Sequence, residues 1–409
     1  MIANMNDEDQ VPMYFIPKIR QSIPCVKSLK KAYALYINIP FCDNRCYFCS
    51  IPVLQLTNRK NLDNYVENLL HEMTAIGKML KNYELKGIHI GGGTPSILSV
   101  SQIKKIFDAL TNHFGSDIPE IVFEANPESM NKEKIDVLTE YRNVTLNFGI
   151  QTFDSERLRK INRMDMVEGI KDCLHYAVKK TNLHVGIDLI VGLPGSKMDD
   201  FNGDMNVMRE LGIKNVFIYP YRLEEKSFFY HLRNDANTMW LSQNELIRNV
   251  EYAEEKMRKN GYIAKTIYYW TKEEKNLYLY NFHQMNGNEW VGIGAGAYSY
   301  LEHSVIYNDL WEWKKHNWFT ESNEEQIFRQ NVTEQLIWDL SFEVKSGNFD
   351  VKILIQKYGE IAKPYLWKIV KRLKEKGYLQ RKNNIICLSV KGKVLLDDVD
   401  KIIREVVLN

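Results

Sequence analysis

The chain has 409 residues, of which 44% are hydrophobic and 26% are charged, and its formal net charge is +2. These proportions are those of a folded globular protein and argue against a disordered chain. Acidic and basic residues are interspersed and no apolar run reaches membrane-spanning length, so we expect no nucleic-acid partner and no membrane partner. The first residues, MIANMNDEDQVPMY, are polar and acidic, which is not the pattern of a secretory signal. We therefore expect a cytoplasmic monomer.

Strand and helix patterns alternate along the first half of the chain. The strand patterns lie near residues 33–39, 87–90, 120–126, 144–151, 184–192 and 215–223, with amphipathic helical patterns between them. Such alternation predicts a parallel sheet with right-handed crossovers. Six strand–helix units, where a closed barrel has eight, predict an α/β fold: a partial (β/α)6 TIM-type barrel that is open on one side.

The pattern changes after residue 240, and four regions follow from it. Residues 1–31 are an N-terminal extension, 32–240 the partial barrel, and 241–318 a segment that completes the barrel and its active site. Residues 319–409 read as a C-terminal domain that is mostly helical and winged-helix-like, with two short strands around an Asn-Asn turn.

The most informative string is YINIPFCDNRCYFCS, which holds Cys42, Cys46 and Cys49 in the spacing C-x3-C-x2-C. Three thiolates are one fewer than an ordinary zinc or iron–sulfur site requires. A four-iron cluster held in this way keeps one iron open to an exchangeable ligand. A zinc site without its fourth ligand, or simple buried cysteines, is the alternative. The other three cysteines are scattered, which argues against disulfides and predicts a reducing compartment.

The cysteine string resembles the signature of the radical S-adenosylmethionine (SAM) superfamily, and YINIPFCDNRCYFC resembles its HemN-like branch of oxygen-independent coproporphyrinogen oxidase-like proteins. The resemblance implies that the three cysteines are the metal ligands and the catalytic centre, holding a [4Fe–4S] cluster. It also implies that SAM binds the open iron and is cleaved to a 5′-deoxyadenosyl radical, which the protein directs at its substrate. A reductant such as flavodoxin or ferredoxin would supply the electron.

The same resemblance gives roles to residues downstream of the cysteines. It implies contacts with SAM from the string GGGTPS after the second strand and from single residues on later strands. The residues that it places around a second SAM molecule are Phe48, Gln151, Arg163 and Asp188. Asp188 also stands out by itself, because a carboxylate within the apolar string GIDLIV needs a polar partner. The three aromatic residues of the set could equally be core residues. The cofactor-binding set is Tyr36, Phe48, Gly92, Gly93, Thr94, Glu124, Gln151, Arg163, Asp188 and Tyr298.

The resemblance leaves the reaction open, because the chain departs from two known patterns of the branch. It lacks the arginine- and tyrosine-containing segment that precedes the barrel in coproporphyrinogen dehydrogenases. It also reads YNFHQM at 280–285, where the heme chaperones show a His-Asn-x-x-Tyr-Trp string. We therefore expect a class C methyltransferase that uses two SAM molecules to transfer a methyl or methylene group to an sp² carbon of an unsaturated small-molecule or peptide-linked substrate. Oxidative decarboxylation of coproporphyrinogen III and heme chaperoning are the alternatives.

Overall fold

The computed structural model describes residues 32–164, 166–235, 238–310, 326–382 and 385–408. The N-terminal extension expected over residues 1–31 therefore lies outside the described residues, together with Cys25. No helix in the described ranges is both long and apolar enough to cross a membrane.

Strands and helices alternate from Ala32 to Pro220, as the sequence predicts. The strands are Ala32–Ile39 (β1), Phe41–Cys42 (β2), Leu54–Gln55 (β3), Glu84–Gly92 (β4), Ile121–Ala125 (β5), Val144–Gln151 (β6), Leu183–Val191 (β7) and Asn215–Pro220 (β8). The helices are Arg59–Leu80 (α1), Val100–Phe114 (α2), Lys132–Leu138 (α3), Ser155–Lys160 (α4), Val167–Val178 (α5) and Phe201–Glu210 (α6). Short 3₁₀ turns cover Pro95–Ile97, Pro127–Ser129 and Met198–Asp200.

Six of these strands form the parallel centre of one large sheet, in the order β1-β4-β5-β6-β7-β8. Each strand is next to the one that follows it along the barrel, and at least one helix lies between them, which gives the crossover that parallel pairing requires. The predicted partial (β/α)6 barrel is thus confirmed. The strands are buried almost throughout, since helices cover the sheet; Leu35, Ile90, Leu146 and Ile187 are fully inaccessible to solvent.

Residues 228–329 extend the sheet at both edges. They form α7 (Phe228–His231), α8 (Gln243–Lys259), β9 (Ile263–Ala264), β10 (Tyr269–Thr271), α9 (Leu279–Met285), β11 (Trp290–Ile293), β12 (Tyr298–Leu301), β13 (Ser304–Tyr307) and β14 (Gln326–Arg329). Strand β11 pairs parallel to β1 and continues into an antiparallel meander, while β10 and β9 follow β8 antiparallel. Within the described ranges the outermost strands, β9 and β14, do not pair, so the barrel stays open.

The C-terminal region is helical with one hairpin, which agrees with the predicted winged-helix-like pattern. It contains α10 (Val332–Glu343), α11 (Val351–Tyr358), α12 (Lys363–Glu375), β15 (Leu379–Lys382), β16 (Ile385–Leu388), α13 (Val390–Val394) and α14 (Leu396–Leu408). It has a core of its own, which includes Leu340, Ile369 and Ile403. A buried ion pair between Lys393 and Glu254 joins it to the barrel. The predicted boundaries at residues 240 and 318 stay predictions.

Candidate functional site

The loop that carries the three cysteines is held in place by the turn that follows α4. The Tyr47 N–H donates to the Ile161 carbonyl at 3.1 Å, and Asn44 Nδ2 donates to the Asn162 carbonyl at 3.1 Å. Asn162 has a left-handed backbone (φ 62°) and returns hydrogen bonds to Asn44 Oδ1 at 3.0 Å and to the Arg45 carbonyl at 2.8 Å. Asparagine is one of the few residues other than glycine that adopts this conformation readily. The cysteine loop is therefore held by hydrogen bonds to the connection between β6 and β7.

The three thiols are partly buried and have polar neighbours. Cys42 Sγ lies 3.3 Å from Thr94 Oγ1, and Cys46 Sγ accepts a hydrogen bond from Arg163 Nε at 3.0 Å. Burial raises the pKa of the Cys42 thiol to about 11, and burial also raises the pKa of Cys49. Thiolates at these positions therefore need added positive charge, which a bound metal centre supplies. Among the described residues, no three His, Cys, Asp or Glu side chains are gathered closely enough to hold one metal ion.

One cavity of about 500 Å³ lies at the carboxyl ends of the parallel strands and contains the three cysteines. Sites in barrels of this type lie at this end of the strands. Eleven of the thirteen predicted site residues line it: Cys42, Cys46, Phe48, Cys49, Gly92, Gly93, Thr94, Glu124, Gln151, Arg163 and Asp188. The residues that it does not include are Tyr36 and Tyr298.

The glycine string at the end of β4 packs tightly against the backbone of a neighbouring segment of the chain. A Cβ atom on Gly93 would lie 2.5 Å from the Phe41 carbonyl oxygen. The Gly93 N–H donates to the Ile39 carbonyl at 2.8 Å, and the Thr94 N–H donates to the Phe41 carbonyl at 2.9 Å. These two amides are thus used to dock the string on the strand pair that leads to Cys42. Gly93 is required by this packing, whatever the rest of the string contacts.

Glu124 belongs to a chain of contacts that the sequence did not reveal. His89 Nε2 lies 2.8 Å from Glu124 Oε1, and the His89 ring stacks on Tyr36 with 5.6 Å between centroids and 23° between planes. The sequence around His89 shows no ligand spacing, which by itself indicates a structural histidine. The usable signal was its position two residues before Gly91, which places both on one face of β4. Tyr36 thus does not line the cavity itself; it packs against His89, which contacts Glu124 on the cavity wall.

Tyr298 lies in an aromatic cluster on the β11 side of the sheet. Its ring meets Trp290 edge-on at 5.6 Å, and its hydroxyl oxygen accepts a hydrogen bond from Gln284 Nε2 at 3.4 Å. Tyr280 belongs to the same cluster and lies 5.8 Å from Tyr36. The structure therefore groups Tyr36 and Tyr298 with core aromatic residues beside the cavity, and their predicted SAM contacts stay predictions.

Asp188 faces the cavity with one carboxylate oxygen unsatisfied. Its Oδ1 is buried and has no hydrogen-bond partner in the described part of the chain. Burial raises the pKa of Asp188 to about 7, and a hydrogen bond from Asn147 opposes this shift. Asn147 in turn accepts a hydrogen bond from the Tyr278 hydroxyl at 2.8 Å. An unsatisfied buried acceptor is costly, so a polar group of a ligand is the natural partner for Oδ1.

Two further residues that line the cavity are unusual: Arg163 is a buried charge, and Gln151 has a left-handed backbone. Arg163 is buried, and besides its bond to Cys46 it donates from Nη1 to Asn126 Oδ1 at 2.5 Å. Gln151 ends β6 after a register shift and has a left-handed backbone, with φ 72°. Bulges and strained residues of this kind occur at binding sites, where they re-aim a side chain. Asn126, like Asn147, was missed by the sequence reasoning.

The opposite wall of the cavity connects the barrel to the C-terminal region. Arg222, just after β8, lines the cavity and donates to Glu224 at 2.9 Å and to Asp397 of α14 at 3.3 Å. Tyr268 lies on the same wall, and burial raises its pKa to about 12. The C-terminal region thus contacts a residue of the candidate site.

Comparison with known families identifies the barrel. The sequence model of the Radical SAM superfamily matches residues 36–208, the stretch that supplies all eleven residues of the cavity set named above. Residues 36–208 thus carry a radical SAM domain, and the chain is similar to proteins of the HemN-like branch. The resemblance drawn from the cysteine string is therefore confirmed.

The chain is similar to several known proteins over most or part of its length. Heme chaperone HemW of Bacillus subtilis is 27% identical over 377 residues, which cover 89% of this chain and 97% of the chaperone. Heme chaperone HemW of Lactococcus lactis is 29% identical over 343 residues, which cover 81% of this chain and 85% of the chaperone. Oxygen-independent coproporphyrinogen III oxidase of Escherichia coli is 28% identical over 193 residues, which cover 47% of this chain and 42% of the oxidase.

A solved structure supports the fold. Coproporphyrinogen III oxidase (HemN) from Escherichia coli superposes with a TM-score of 0.77, covering 93% of this chain and 92% of that chain. The sequence identity is 20%, so the likeness establishes the fold and no more.

The radical SAM match over residues 36–208 implies a [4Fe–4S] cluster and SAM, and the residues present fit both groups. Three thiols from one loop line a single cavity, where they would hold the cluster. The unsatisfied Asp188 Oδ1 and the half-buried Glu124 are acceptors of the kind that the ammonium and hydroxyl groups of SAM require. A second SAM molecule, the reductant and the monomeric state stay predictions.

Proposed function

We propose that the chain is a heme-handling radical SAM protein of the HemW type. One observation carries this: the likeness to heme chaperones extends over 97% of the Bacillus subtilis chaperone, whereas the sequence likeness to the Escherichia coli oxidase covers 42% of that enzyme. The comparisons therefore favour the chaperone over decarboxylation, and they give no support to methyl transfer, the reaction that the sequence departures had suggested. The absence of the His-Asn-x-x-Tyr-Trp string is the point at which this chain departs from that group.

Each part of the cavity has a task in this proposal. Cys42, Cys46 and Cys49 would hold the cluster, which would pass to SAM the electron that it receives from a reductant such as flavodoxin or ferredoxin. The docked glycine string fixes the position of Thr94 next to Cys42. Glu124 and Asp188 accept hydrogen bonds from SAM, because both are carboxylates on the cavity wall.

Exposed apolar side chains beside the cysteine loop offer a surface for heme. Phe228 is 44% exposed, and its ring lies 4.3 Å from that of Tyr47 in the loop. Met164 is 69% exposed and follows Arg163 directly. A flat apolar macrocycle buries such side chains favourably, and a methionine thioether is an established axial ligand of heme iron. We therefore place the cargo at the cavity mouth.

The test is a hemin titration of the full chain with its cluster reconstituted anaerobically. We expect a Soret band at one hemin per chain and transfer of that heme to apomyoglobin. The double variant Met164→Ala/Phe228→Ala should bind hemin about tenfold more weakly, given the apolar area that it removes. The matched control is Ile353→Ala/Trp367→Ala, which removes exposed apolar side chains from the C-terminal region. Absence of heme binding by the wild-type chain would remove the chaperone proposal. Release of carbon dioxide from coproporphyrinogen III in the presence of SAM would replace it with decarboxylation.

Methyl transfer with two SAM molecules is the second candidate, and one observation favours it. Phe48, Gln151, Arg163 and Asp188, the residues implied for the second SAM, line the same cavity as the cysteines. We expect two SAM molecules per reconstituted chain under this candidate, and one after Asp188→Asn. Asp188 is preferable to Arg163 for this test because Arg163 also donates to Cys46. A stoichiometry of one in the wild-type chain would eliminate the candidate.

A further inference from the structure

His89 packs against two tyrosine rings within the wall behind the cavity. The residue is 8% exposed, and the centroid of its ring lies 5.6 Å from that of Tyr36 and 5.4 Å from that of Tyr280, which are themselves 5.8 Å apart. From this position its Nε2 meets Glu124 Oε1 at 2.8 Å. The contact joins β4 to β5, the two neighbouring strands whose carboxyl ends form this part of the cavity wall.

The surroundings of the second ring nitrogen identify the tautomer. His89 Nδ1 is buried and has no hydrogen-bond partner within the described ranges. A doubly protonated imidazolium would leave a charged N–H donor unsatisfied at Nδ1, which is costly in a buried position. A neutral ring with its proton on Nε2 leaves only an unused acceptor there. His89 therefore donates its Nε2–H to Glu124.

This donation leaves the rest of the Glu124 carboxylate directed towards the cavity. The Glu124 side chain is 37% exposed, and its Oε2 lies against Gly91, where a Cβ atom would come within 2.9 Å. A β-strand glutamate without a partner samples several rotamers, and ordering it on binding costs free energy. A hydrogen bond from a rigidly packed ring removes much of that cost before the ligand arrives.

We propose that His89 is a positioning residue that fixes the Glu124 carboxylate for SAM by donating from Nε2. The inference rests on the proposed function, in which Glu124 accepts hydrogen bonds from SAM. His89 itself touches no ligand in this account and acts only through Glu124.

The test separates the hydrogen bond from the ring packing by equilibrium binding of SAM to the reconstituted full chain. His89→Phe keeps an aromatic ring packed against Tyr36 and Tyr280 but removes the donor, and it should weaken SAM binding about tenfold. His89→Gln keeps an amide nitrogen at the position of Nε2 and should restore affinity to within about twofold of wild type. Iron content should be the same in all three proteins, because no thiol contact changes. If His89→Phe folds poorly, His89→Asn is the substitute, since its shorter amide falls short of Glu124.

A double-mutant cycle with Glu124→Ala distinguishes this role from a structural one. Once Glu124 is absent, His89→Phe should cause no further loss of SAM affinity. An equal loss in both backgrounds, or wild-type affinity in His89→Phe and His89→Asn, would overturn the inference while leaving the proposed function in place. Unchanged affinity in Glu124→Ala alone would overturn the assigned role of Glu124 and the inference with it.

Discussion

The two ends of the parallel strands use polar residues in opposite ways. At the amino ends, a buried network satisfies its own members: Glu120 accepts from Thr145 Oγ1 at 2.5 Å and from the Leu279 N–H at 2.6 Å. Asn215 Oδ1 accepts from the Tyr269 hydroxyl at 2.8 Å and from Thr271 Oγ1 at 2.7 Å. Nothing in these contacts is left for a ligand.

At the carboxyl ends, the buried polar groups are incompletely paired. His89 Nδ1 and Asp188 Oδ1 have no partners within the described ranges, and Gln151 has a left-handed backbone. Unsatisfied groups and local strain persist in a folded protein where binding or chemistry needs them. The comparison teaches that hydrogen-bond satisfaction distinguishes the functional end of this barrel from the structural end, although both ends are rich in polar residues.

The largest effect should follow the loss of the cysteines. We expect the variant Cys42→Ala/Cys46→Ala/Cys49→Ala to lose its iron and all SAM cleavage, because among the described residues that line the cavity no other thiol can replace the three. The fold should persist, since the loop is held by backbone contacts and by Asn162. Iron analysis, paramagnetic spectra and circular dichroism after anaerobic reconstitution measure both points. Wild-type iron content in this variant would contradict the cluster assignment.

A smaller effect, confined to stability, should follow a change at the amino ends. Asn215→Ala leaves the buried hydroxyls of Tyr269 and Thr271 without their acceptor, and we expect the free energy of unfolding to fall by about 3 kcal/mol. Urea denaturation of the apoprotein measures this fall. The affinity for SAM of the folded protein should not change. Asn206→Ala, at an exposed position on α6, is the matched control and should change stability by less than about 0.5 kcal/mol.

The sequence was sufficient for the features that local patterns encode. The six central strands follow from alternating apolar runs and helical periodicity, and the cysteine spacing is a property of eight consecutive residues. The string KTIYYWTKEEKNLYLYNFHQ can be recognised from the sequence only as a segment rich in aromatic residues. Its strand β10 exists because Tyr269, Trp270 and Thr271 pair with β8, and no local pattern reveals that pairing.

The contacts that complete the site depend on sheet register, so the sequence could not supply them. His89 and Glu124 are 35 positions apart, and they meet because β4 and β5 are neighbours at a particular register. Asn162 and Asn44 are 118 positions apart. The sequence also cannot assign Tyr298, because an aromatic residue on a short strand is equally compatible with a ligand contact and with a position in the core.

The smallest expected effect is a dependence of stability on pH, and it arises from the carboxyl group of Asp188 at the carboxyl ends of the strands. The pKa of Asp188 is raised from 3.8 to about 7 in the folded protein, so between these values the folded state binds more protons than the unfolded state. Stability is therefore lost as the pH rises from about 4 to about 7, and the loss is complete above that range.

Asp188→Asn removes this loss, because the amide does not ionise. Each pKa unit corresponds to about 1.4 kcal/mol, and after a reduction for exposure to the cavity we expect the variant to gain about 2 kcal/mol over wild type at pH 8. At pH 4 the two proteins should be equally stable. Asp204, whose pKa burial raises to about 6, is present in both chains and cancels in the difference. Urea denaturation of the two apoproteins at several pH values measures that difference. A difference that does not change with pH would mean that Asp188 is already satisfied, and the contrast between the two ends of the barrel would then rest on His89 alone.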